Sequence, residues 1–204
     1  MKIIFDLDGT LICSKKRLYE LFCDLTKSRE LSFSGYWGFK FRGYSNQDIL
    51  KNEFDYPEEK IKKFITLWMN KIEDSYYLEM DTVIEGLKEF LEKISINNQL
   101  YICTARQSIA QVNTQLKNLA ILEFFEDIFV TEQYSTKTEL LLNSGIAFSK
   151  NDWFVGDTGH DIKTGQQLGM KTCAVLSGFM SESALKGYEP DSIINNVTLL
   201  DVWK

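Results

Sequence analysis

Short apolar runs alternate with longer amphipathic stretches along most of the chain. The runs are apolar on both faces, which is typical of parallel strands covered by helices on both sides. They span residues 2–6, 100–103, 128–130, 153–155 and 172–175. The stretches with helical periodicity span residues 84–94, 108–119, 137–144 and 161–168. This alternation predicts an α/β fold with an open, doubly wound, mostly parallel sheet, in which ligands bind beyond the carboxyl ends of the strands.

One region breaks this alternation. Residues 13–80 contain no convincing parallel strand, whereas the apolar positions of residues 18–25 and 61–72 have helical spacing. Between them, residues 33–44 are aromatic and glycine-rich. We interpret residues 13–80 as a helical insertion that follows the first strand of the sheet.

Composition and charge narrow the classes of function. The chain has 204 residues, 44% of them apolar, and a formal net charge of −6. The negative charge argues against nucleic acid and anionic membranes as partners. No apolar run approaches the roughly 20 residues that span a bilayer, and the apolar N-terminal stretch is too short for a signal peptide. We therefore expect a cytoplasmic protein whose scattered cysteines are reduced thiols.

The strongest local signal is a pair of acids directly after the first strand. Asp6 and Asp8 are separated by one residue and followed by Gly9 and Thr10. In extended backbone the two carboxylates share a face, and their repulsion is relieved if a hard cation such as Mg²⁺ lies between them. The alternative is an ordinary turn, because Asp-Gly-Thr is common turn chemistry.

A second acidic pair follows another apolar run. Asp157 follows the strand predicted at residues 153–155. Gly156 and Gly159 flank it, and because they have no side chains they leave room for a ligand. Asp161 comes at the start of the next helix, where an acid can also act as a capping residue. Both interpretations of Asp161 stay open at this point.

Two further side chains complete a possible phosphate site. Thr104 ends the strand at residues 100–103, where its hydroxyl and nearby backbone N–H groups can hold phosphate oxygens or the threonine can cap a helix. Lys137 begins a predicted helix. A lysine there is either solvated or positioned to neutralise a carboxylate and a phosphate together.

Together these positions resemble the haloacid dehalogenase superfamily. Its first motif, DxDx[TV], is matched by residues 6–10, and its second, a Ser or Thr that ends a core strand, by Thr104. Its third, a lysine at a helix start, is matched by Lys137, and its fourth, GDxxxD, by residues 156–161. The order and strand context agree for all four motifs, over nearly the whole chain. One departure is that Thr138 stands where many relatives have proline.

The resemblance implies a domain organisation and a reaction. It implies a Rossmann-like core of residues 1–12 and 81–204 and a type-1 helical cap of residues 13–80, similar to the phosphoglycolate phosphatase and β-phosphoglucomutase branch. It also implies hydrolysis of a small-molecule phosphate ester through a phosphoaspartyl intermediate, with Asp6 as nucleophile and Asp8 as acid and base. Thr104 and Lys137 would bind the phosphoryl group.

The resemblance further implies Mg²⁺ as the cofactor. Its ligands would be the Asp6 carboxylate, the backbone carbonyl of Asp8, Asp157, and Asp161 either directly or through water.

Residues outside these motifs leave more alternatives. Arg42 is either a contact for the non-transferred end of the substrate or a solvated arginine, and Arg106 is either a phosphate-side group or a surface arginine. The aromatic side chains of residues 36–41 form either the core of the cap or a platform for a base.

Two other functions remain open from the sequence. One is a phosphomutase of the β-phosphoglucomutase type, which uses the same core residues but excludes water from the aspartyl phosphate. The other is a catalytically silent regulator on the same fold. The complete set of motif residues argues against the silent regulator.

Overall fold

The centre of the molecule is a parallel sheet. The computed structural model describes residues 1–201. Its six strands are β1 (Lys2–Phe5), β4 (Gln99–Thr104), β5 (Asp127–Val130), β6 (Trp153–Gly156), β7 (Lys171–Val175) and β8 (Ser192–Ile194). Their order across the sheet is β5-β4-β1-β6-β7-β8, and each is parallel to its neighbours. The predicted doubly wound α/β fold is therefore confirmed.

Helices cover both faces of this sheet. They are α6 (Leu87–Ser95), α7 (Ile109–Asn118), α8 (Lys137–Asn143), α9 (Gly159–Gln167) and α10 (Glu182–Lys186). Short 3₁₀ helices lie at Leu122–Phe124 and Val197–Leu199. The side chains of β1 alternate between the faces, so that Ile3 and Phe5 pack in one apolar cluster and Ile4 in another on the opposite side. Both faces of the central strand are thus buried, as its continuous apolar run predicts.

The strand order places one edge of the sheet at a topological switch point. The chain runs outward from β1 in one direction through β4 and β5, and in the other direction through β6 and β7. Loops that leave adjacent strands on either side of such a point diverge, and a crevice opens between them. The loops after β1, β4 and β6 therefore meet around one crevice.

A separate group of helices follows β1. It comprises α1 (Lys15–Thr26), α2 (Phe33–Phe41), α3 (Asn46–Glu53), α4 (Glu58–Lys71) and α5 (Ser75–Leu78). Two short antiparallel strands, β2 (Ile12–Cys13) and β3 (Thr82–Val83), flank this group in the chain and pair with each other. These helices have their own apolar cluster, centred on Phe22, whose ring lies 4.9 Å from that of Tyr36 and 5.7 Å from that of Phe64.

The structure adds elements that the pattern did not predict. Strands β2, β3 and β8 are only two or three residues long, too short for an alternation to be recognised. Helix α2 forms in the glycine-rich segment, where Ser32 caps it by accepting a hydrogen bond from the Gly35 N–H and Tyr36 and Trp37 are buried. Among residues 1–201, no helix combines the length and the apolar character needed to cross a membrane.

The aromatic cluster predicts the cost of a truncation. Phe22 is 1% exposed and contacts the rings of Tyr36, Phe54 and Phe64. Phe22→Ala should lower the free energy of unfolding by about 3–5 kcal/mol. The substitution leaves a cavity that the surrounding rings can fill only partly. Tyr76 is 65% exposed, so Tyr76→Ala should change it by less than about 0.5 kcal/mol. Urea denaturation of both variants is the measurement, and equal effects would contradict the assigned packing.

Candidate active site

Three buried carboxylates converge at the switch point. Asp6 follows β1, Asp157 follows β6, and Asp161 lies in the first turn of α9. One oxygen from each lies within 4.8 Å of the others. Asp6 is 6% exposed, and the other two are fully buried. The structure thus brings together the acids that the first and fourth motifs contribute.

Close backbone approach makes room for the Asp157 carboxylate. Gly9 has φ +85°, a conformation that favours glycine, and a Cβ there would lie 2.6 Å from Asp157 Oδ2. A Cβ on Gly178 would overlap the same carboxylate. The backbone N–H of Phe179 donates to Asp157 Oδ2 at 2.8 Å. The loop after β1 and the loop after β7 therefore enclose Asp157 from two sides.

Lys137 joins two of the three acids. Its Nζ lies 2.5 Å from Asp6 Oδ1 and 2.6 Å from Asp161 Oδ1. The lysine is the first residue of α8, which begins with a capping box between Thr136 and Glu139. That cap fixes the start of the helix and with it the position of the lysine. The predicted alternative of a solvated lysine does not describe this side chain, which is 11% exposed.

Asp161 serves in the cap of its own helix as well. Its Oδ2 accepts hydrogen bonds from the Thr158 N–H at 3.0 Å and from the Thr158 hydroxyl at 2.6 Å. Its other oxygen faces Lys137. The two interpretations that the sequence left open are therefore compatible, since one carboxylate caps α9 and belongs to the acid cluster.

Burial shifts the pKa of two of these acids, Asp6 and Asp157. It raises the pKa of Asp6 to about 7, against the attraction of Lys137 and with the repulsion of Asp161. Burial also raises the pKa of Asp157 well above its usual range, with added repulsion from Asp6 and Asp161. Burial alone would lower the pKa of Lys137, but Asp161 and Asp6 raise it. The lysine therefore stays charged, while Asp6 and Asp157 both resist ionisation.

The chemistry of this cluster fits a divalent cation. Three ionised carboxylates and one ammonium leave two negative charges, which one Mg²⁺ would neutralise. Asp157 Oδ1 is buried and has no hydrogen-bond partner among residues 1–201. Buried polar oxygens without a partner are rare in folded proteins, and carboxylate oxygens are preferred ligands of Mg²⁺.

Asp8 points away from this cluster towards two arginines. Its carboxylate pairs with Arg17 of α1 and accepts from Arg106 Nε at 2.5 Å and Nη2 at 3.0 Å. Burial would raise the pKa of Asp8, but the charges of Arg106 and Arg17 lower it below its ordinary value. The side chain of Asp8 is thus held ionised and outside the set of acids that could ligate a metal.

The two arginines belong to a buried polar network. Arg106 Nη2 also reaches Gln115 Oε1 at 3.1 Å and Asp81 Oδ2 at 3.4 Å, and Arg17 Nε lies 3.1 Å from Asp81 Oδ1. Burial raises the pKa of Asp81 to about 6, against the charge of Arg17. Of the two alternatives for Arg106, a surface arginine does not describe a side chain that is 5% exposed and lines the crevice. Sequence reasoning missed Arg17, Asp81 and Gln115, which belong to no motif.

Thr104 and Arg42 occupy different surroundings. Thr104 ends β4, is 2% exposed and lines the crevice. It does not cap α7, whose cap is Ser108. Arg42 is exposed at the end of α2, where its guanidinium lies 4.6 Å from the Phe39 ring. The structure does not bring Arg42 to the crevice, so its predicted contact with substrate gains no support.

A cavity of about 640 Å³ opens above the acid cluster. The residues that reach it from the sheet include Asp6, Asp8, Thr104, Arg106 and Lys137. Residues of helices α1, α2, α3 and α4 form its opposite wall. The predicted catalytic residues therefore lie at the base of a space that is large enough for a small-molecule ligand.

The raised pKa values of Asp6 and Asp157 predict a pH-dependent effect of magnesium on stability. A carboxyl with a raised pKa stabilises the fold while protonated, and this contribution is lost as the pH rises through about 7. Without metal, raising the pH from 6 to 8 should lower the stability by about 1–2 kcal/mol, a few degrees in Tm. Excess Mg²⁺ should remove that decrease.

Thermal melts in EDTA and in MgCl₂ at both pH values provide the measurement. Asp157→Asn is the control, because it removes one ligand and one repulsive charge. A magnesium-induced rise in Tm that is unchanged in Asp157→Asn would contradict this assignment of the cluster.

Comparison with known proteins bears on the family of this chain. Residues 3–175 match the family model described as haloacid dehalogenase-like hydrolase. The chain is 27% identical over 204 residues to pyrophosphatase PpaX of Oceanobacillus iheyensis, covering 96% of this chain and 92% of that protein. It is 27% identical over 206 residues to pyrophosphatase PpaX of Bacillus cereus, with coverage of 96% and 92%.

Solved structures share the fold. A haloacid dehalogenase-like family hydrolase from Streptococcus pneumoniae superposes with a TM-score of 0.75 at 22% identity, covering 96% of this chain and 93% of that one. A structure described as a predicted phosphoglycolate phosphatase from Haemophilus somnus has a TM-score of 0.70 at 20% identity, with coverage of 95% and 93%. With the family model matched over most of its length, this chain belongs to the haloacid dehalogenase-like hydrolases.

Proposed function

We propose that this protein is a Mg²⁺-dependent phosphatase that hydrolyses a small-molecule phosphate monoester through a phosphoaspartyl intermediate on Asp6. The observation that carries this proposal is the cluster of Asp6, Asp157, Asp161 and Lys137 at the base of the cavity. Magnesium, when bound by Asp6, Asp157 and Asp161, would neutralise the negative charge of the acids and of the phosphoryl oxygens.

The first half of the reaction transfers the phosphoryl group to Asp6. A carboxylate oxygen of Asp6 attacks phosphorus, and the bond between phosphorus and the leaving oxygen breaks as that oxygen takes a proton from Asp8. Thr104 and Lys137, both on the cavity wall, hold the other phosphoryl oxygens. Their contribution is electrostatic, since the charge of the transition state lies mainly on those oxygens.

The second half releases phosphate. Water attacks the phosphorus of the aspartyl phosphate, Asp8 accepts a proton from that water, and the bond between phosphorus and Asp6 breaks. Asp6 regains its carboxylate and Asp8 its proton, so that the cycle closes without a further reactant.

Asp8 must become protonated for the first half. With Arg17 and Arg106 both in place it is ionised, because their charges lower its pKa. A phosphoryl dianion that enters the cavity competes for the same guanidinium groups, since arginine binds phosphate as readily as carboxylate. Substrate binding therefore frees Asp8 and raises its pKa, which makes it an acid only when a leaving group is present.

The helices of residues 13–80 act in this proposal as a cap over a core of residues 1–12 and 81–204, of which 202–204 lie outside the described residues. The separate aromatic cluster around Phe22 supports this division. So does the pairing of β2 with β3, which lie where the chain enters and leaves the cap. The cap supplies the wall of the cavity opposite the acids and hence the contacts to the leaving group.

The role of Asp6 predicts loss of activity on a single change. Asp6→Asn should lower Mg²⁺-dependent phosphate release from p-nitrophenyl phosphate at least about thousandfold, because it removes both the nucleophile and a metal ligand. Asp55→Asn is the matched control: Asp55 is exposed, and its φ of +50° suits asparagine. Retention of activity in Asp6→Asn would contradict the assignment, and isomerisation of a sugar 1-phosphate without phosphate release would select a phosphomutase instead.

The role of Asp8 predicts a dependence on the leaving group. In Asp8→Asn, kcat/KM for an alkyl phosphate should fall about hundredfold, because the departing alkoxide lacks its proton donor. For p-nitrophenyl phosphate the fall should be less than about tenfold, since nitrophenolate leaves without protonation. Steady-state kinetics on both esters test this, and equal losses on the two would rule out Asp8 as the acid.

A further inference from the structure

The cavity extends well beyond the phosphoryl site. About 640 Å³ is available, and its walls reach from the acids to Ser45 and Asn46 at the start of α3 and to Trp68 in α4. A leaving group of two carbons, or a second phosphoryl group, would leave most of this space filled with water. A volume of this order is typical of sites for ligands of several hundred daltons.

Two stacked pairs of rings lie in the cavity wall. Trp37 and Phe179 lie with centroids 5.5 Å apart and planes at 19°, and Phe64 and Trp68 lie 5.7 Å apart at 27°. All four residues line the cavity. Trp68 and Phe179 are only half-buried, so that ring surface remains for a planar group to stack upon.

The same wall carries two polar groups with unused donors. Lys40 lines the cavity and forms no ion pair or hydrogen bond within residues 1–201. Asn46 accepts a hydrogen bond from the Tyr36 hydroxyl at 2.8 Å, and among the described residues its amide N–H groups have no acceptor. A ring stacked here would therefore meet hydrogen-bond donors, which pair with carbonyl oxygens and ring nitrogens.

We propose that the substrate is a phosphate monoester whose leaving group carries a heteroaromatic ring with hydrogen-bond acceptors, of the size of a nucleoside 5′-monophosphate. The ring stacks on Trp68 and Phe179, and its acceptors face Lys40 and Asn46. This inference rests on the proposed phosphatase function and specifies the substrate class of the same site. A pyrophosphate or a short carboxylic acid would instead need several cations at this end. Arg17, Arg106 and Lys137 also line the cavity, but each is already paired with a carboxylate, so that among the described wall residues Lys40 is the cation without an ion pair.

A pair of substrates that differ only in the ring tests the proposal. Nucleoside 5′-monophosphates and ribose 5-phosphate have the same primary phosphate ester, so that the chemistry on phosphorus is matched. At least one of the four common nucleotides should exceed ribose 5-phosphate in kcat/KM by about tenfold or more, the range expected for stacking of one base on aromatic side chains. Pyrophosphate and phosphoglycolate should both be poorer substrates than that nucleotide.

Substitutions in the cavity wall test which residues produce the preference for the nucleotide. Trp68→Leu and Lys40→Met should each reduce the ratio of kcat/KM between the nucleotide and ribose 5-phosphate to less than about threefold. Tyr76→Leu and Lys51→Met are the matched controls, because both side chains are exposed and lie outside the cavity wall. Circular dichroism and thermal melts establish that each variant is folded. Isothermal titration of Asp6→Asn should likewise show tighter binding of the nucleotide than of ribose 5-phosphate.

The outcomes distinguish failure of the proposed ring preference from failure of the proposed phosphatase function. If ribose 5-phosphate, pyrophosphate or phosphoglycolate equals or exceeds every nucleotide, the phosphatase stands and the ring preference is overturned. If the ratio survives both wall variants, the assigned ring site is overturned. If no ester, including p-nitrophenyl phosphate, releases phosphate with Mg²⁺, the proposed function itself fails.

Discussion

The arrangement of the site depends on one constraint, which is that three carboxylates are buried together with a single lysine to balance them. Lys137 spans Asp6 and Asp161, and Asp157 lies in the same cluster with one oxygen that has no hydrogen-bond partner in the described part of the chain. A cluster with this excess of negative charge is unfavourable in a low-dielectric interior. The fold tolerates this cluster because the strand order, the helix caps and the close approach of two glycines fix the positions of these side chains.

Part of this site could be predicted because backbone topology determines it. Asp6, Thr104 and Asp157 each follow an apolar run, and parallel strands direct the residues that follow them to one edge of the sheet. Lys137 starts the helix after β5, so the same argument predicts its position. The pattern alone left an alternative open for each residue, such as a turn for Asp6 and a solvated side chain for Lys137, and the family resemblance decided between them.

Other features depend on packing that no local pattern encodes. A charged residue such as Arg17 on an amphipathic helix is ordinarily solvated, yet here it is 2% exposed and faces Asp8. Its partner Asp81 lies beside β3, a strand of two residues that leaves no signal. In α2, glycines lower the intrinsic helix propensity by up to about 1 kcal/mol each. The burial of Tyr36 and Trp37 compensates for this, and only the tertiary structure reveals it.

The ion pair between Arg17 and Asp8 links the two parts of the chain on either side of the cavity. Arg17 belongs to the helix that also carries Phe22, and its guanidinium donates to the Ile72 carbonyl at 2.9 Å. Whatever shifts this helix also shifts a positive charge relative to the carboxyl that serves as acid in the proposed reaction. The pKa of Asp8 then depends on what occupies the cavity and not on the core alone. Substrate binding and proton transfer from Asp8 are therefore thermodynamically coupled. In the proposed reaction, a ligand that fills the cavity without drawing Arg17 and Arg106 away from Asp8 would bind as an inhibitor, because Asp8 would stay ionised.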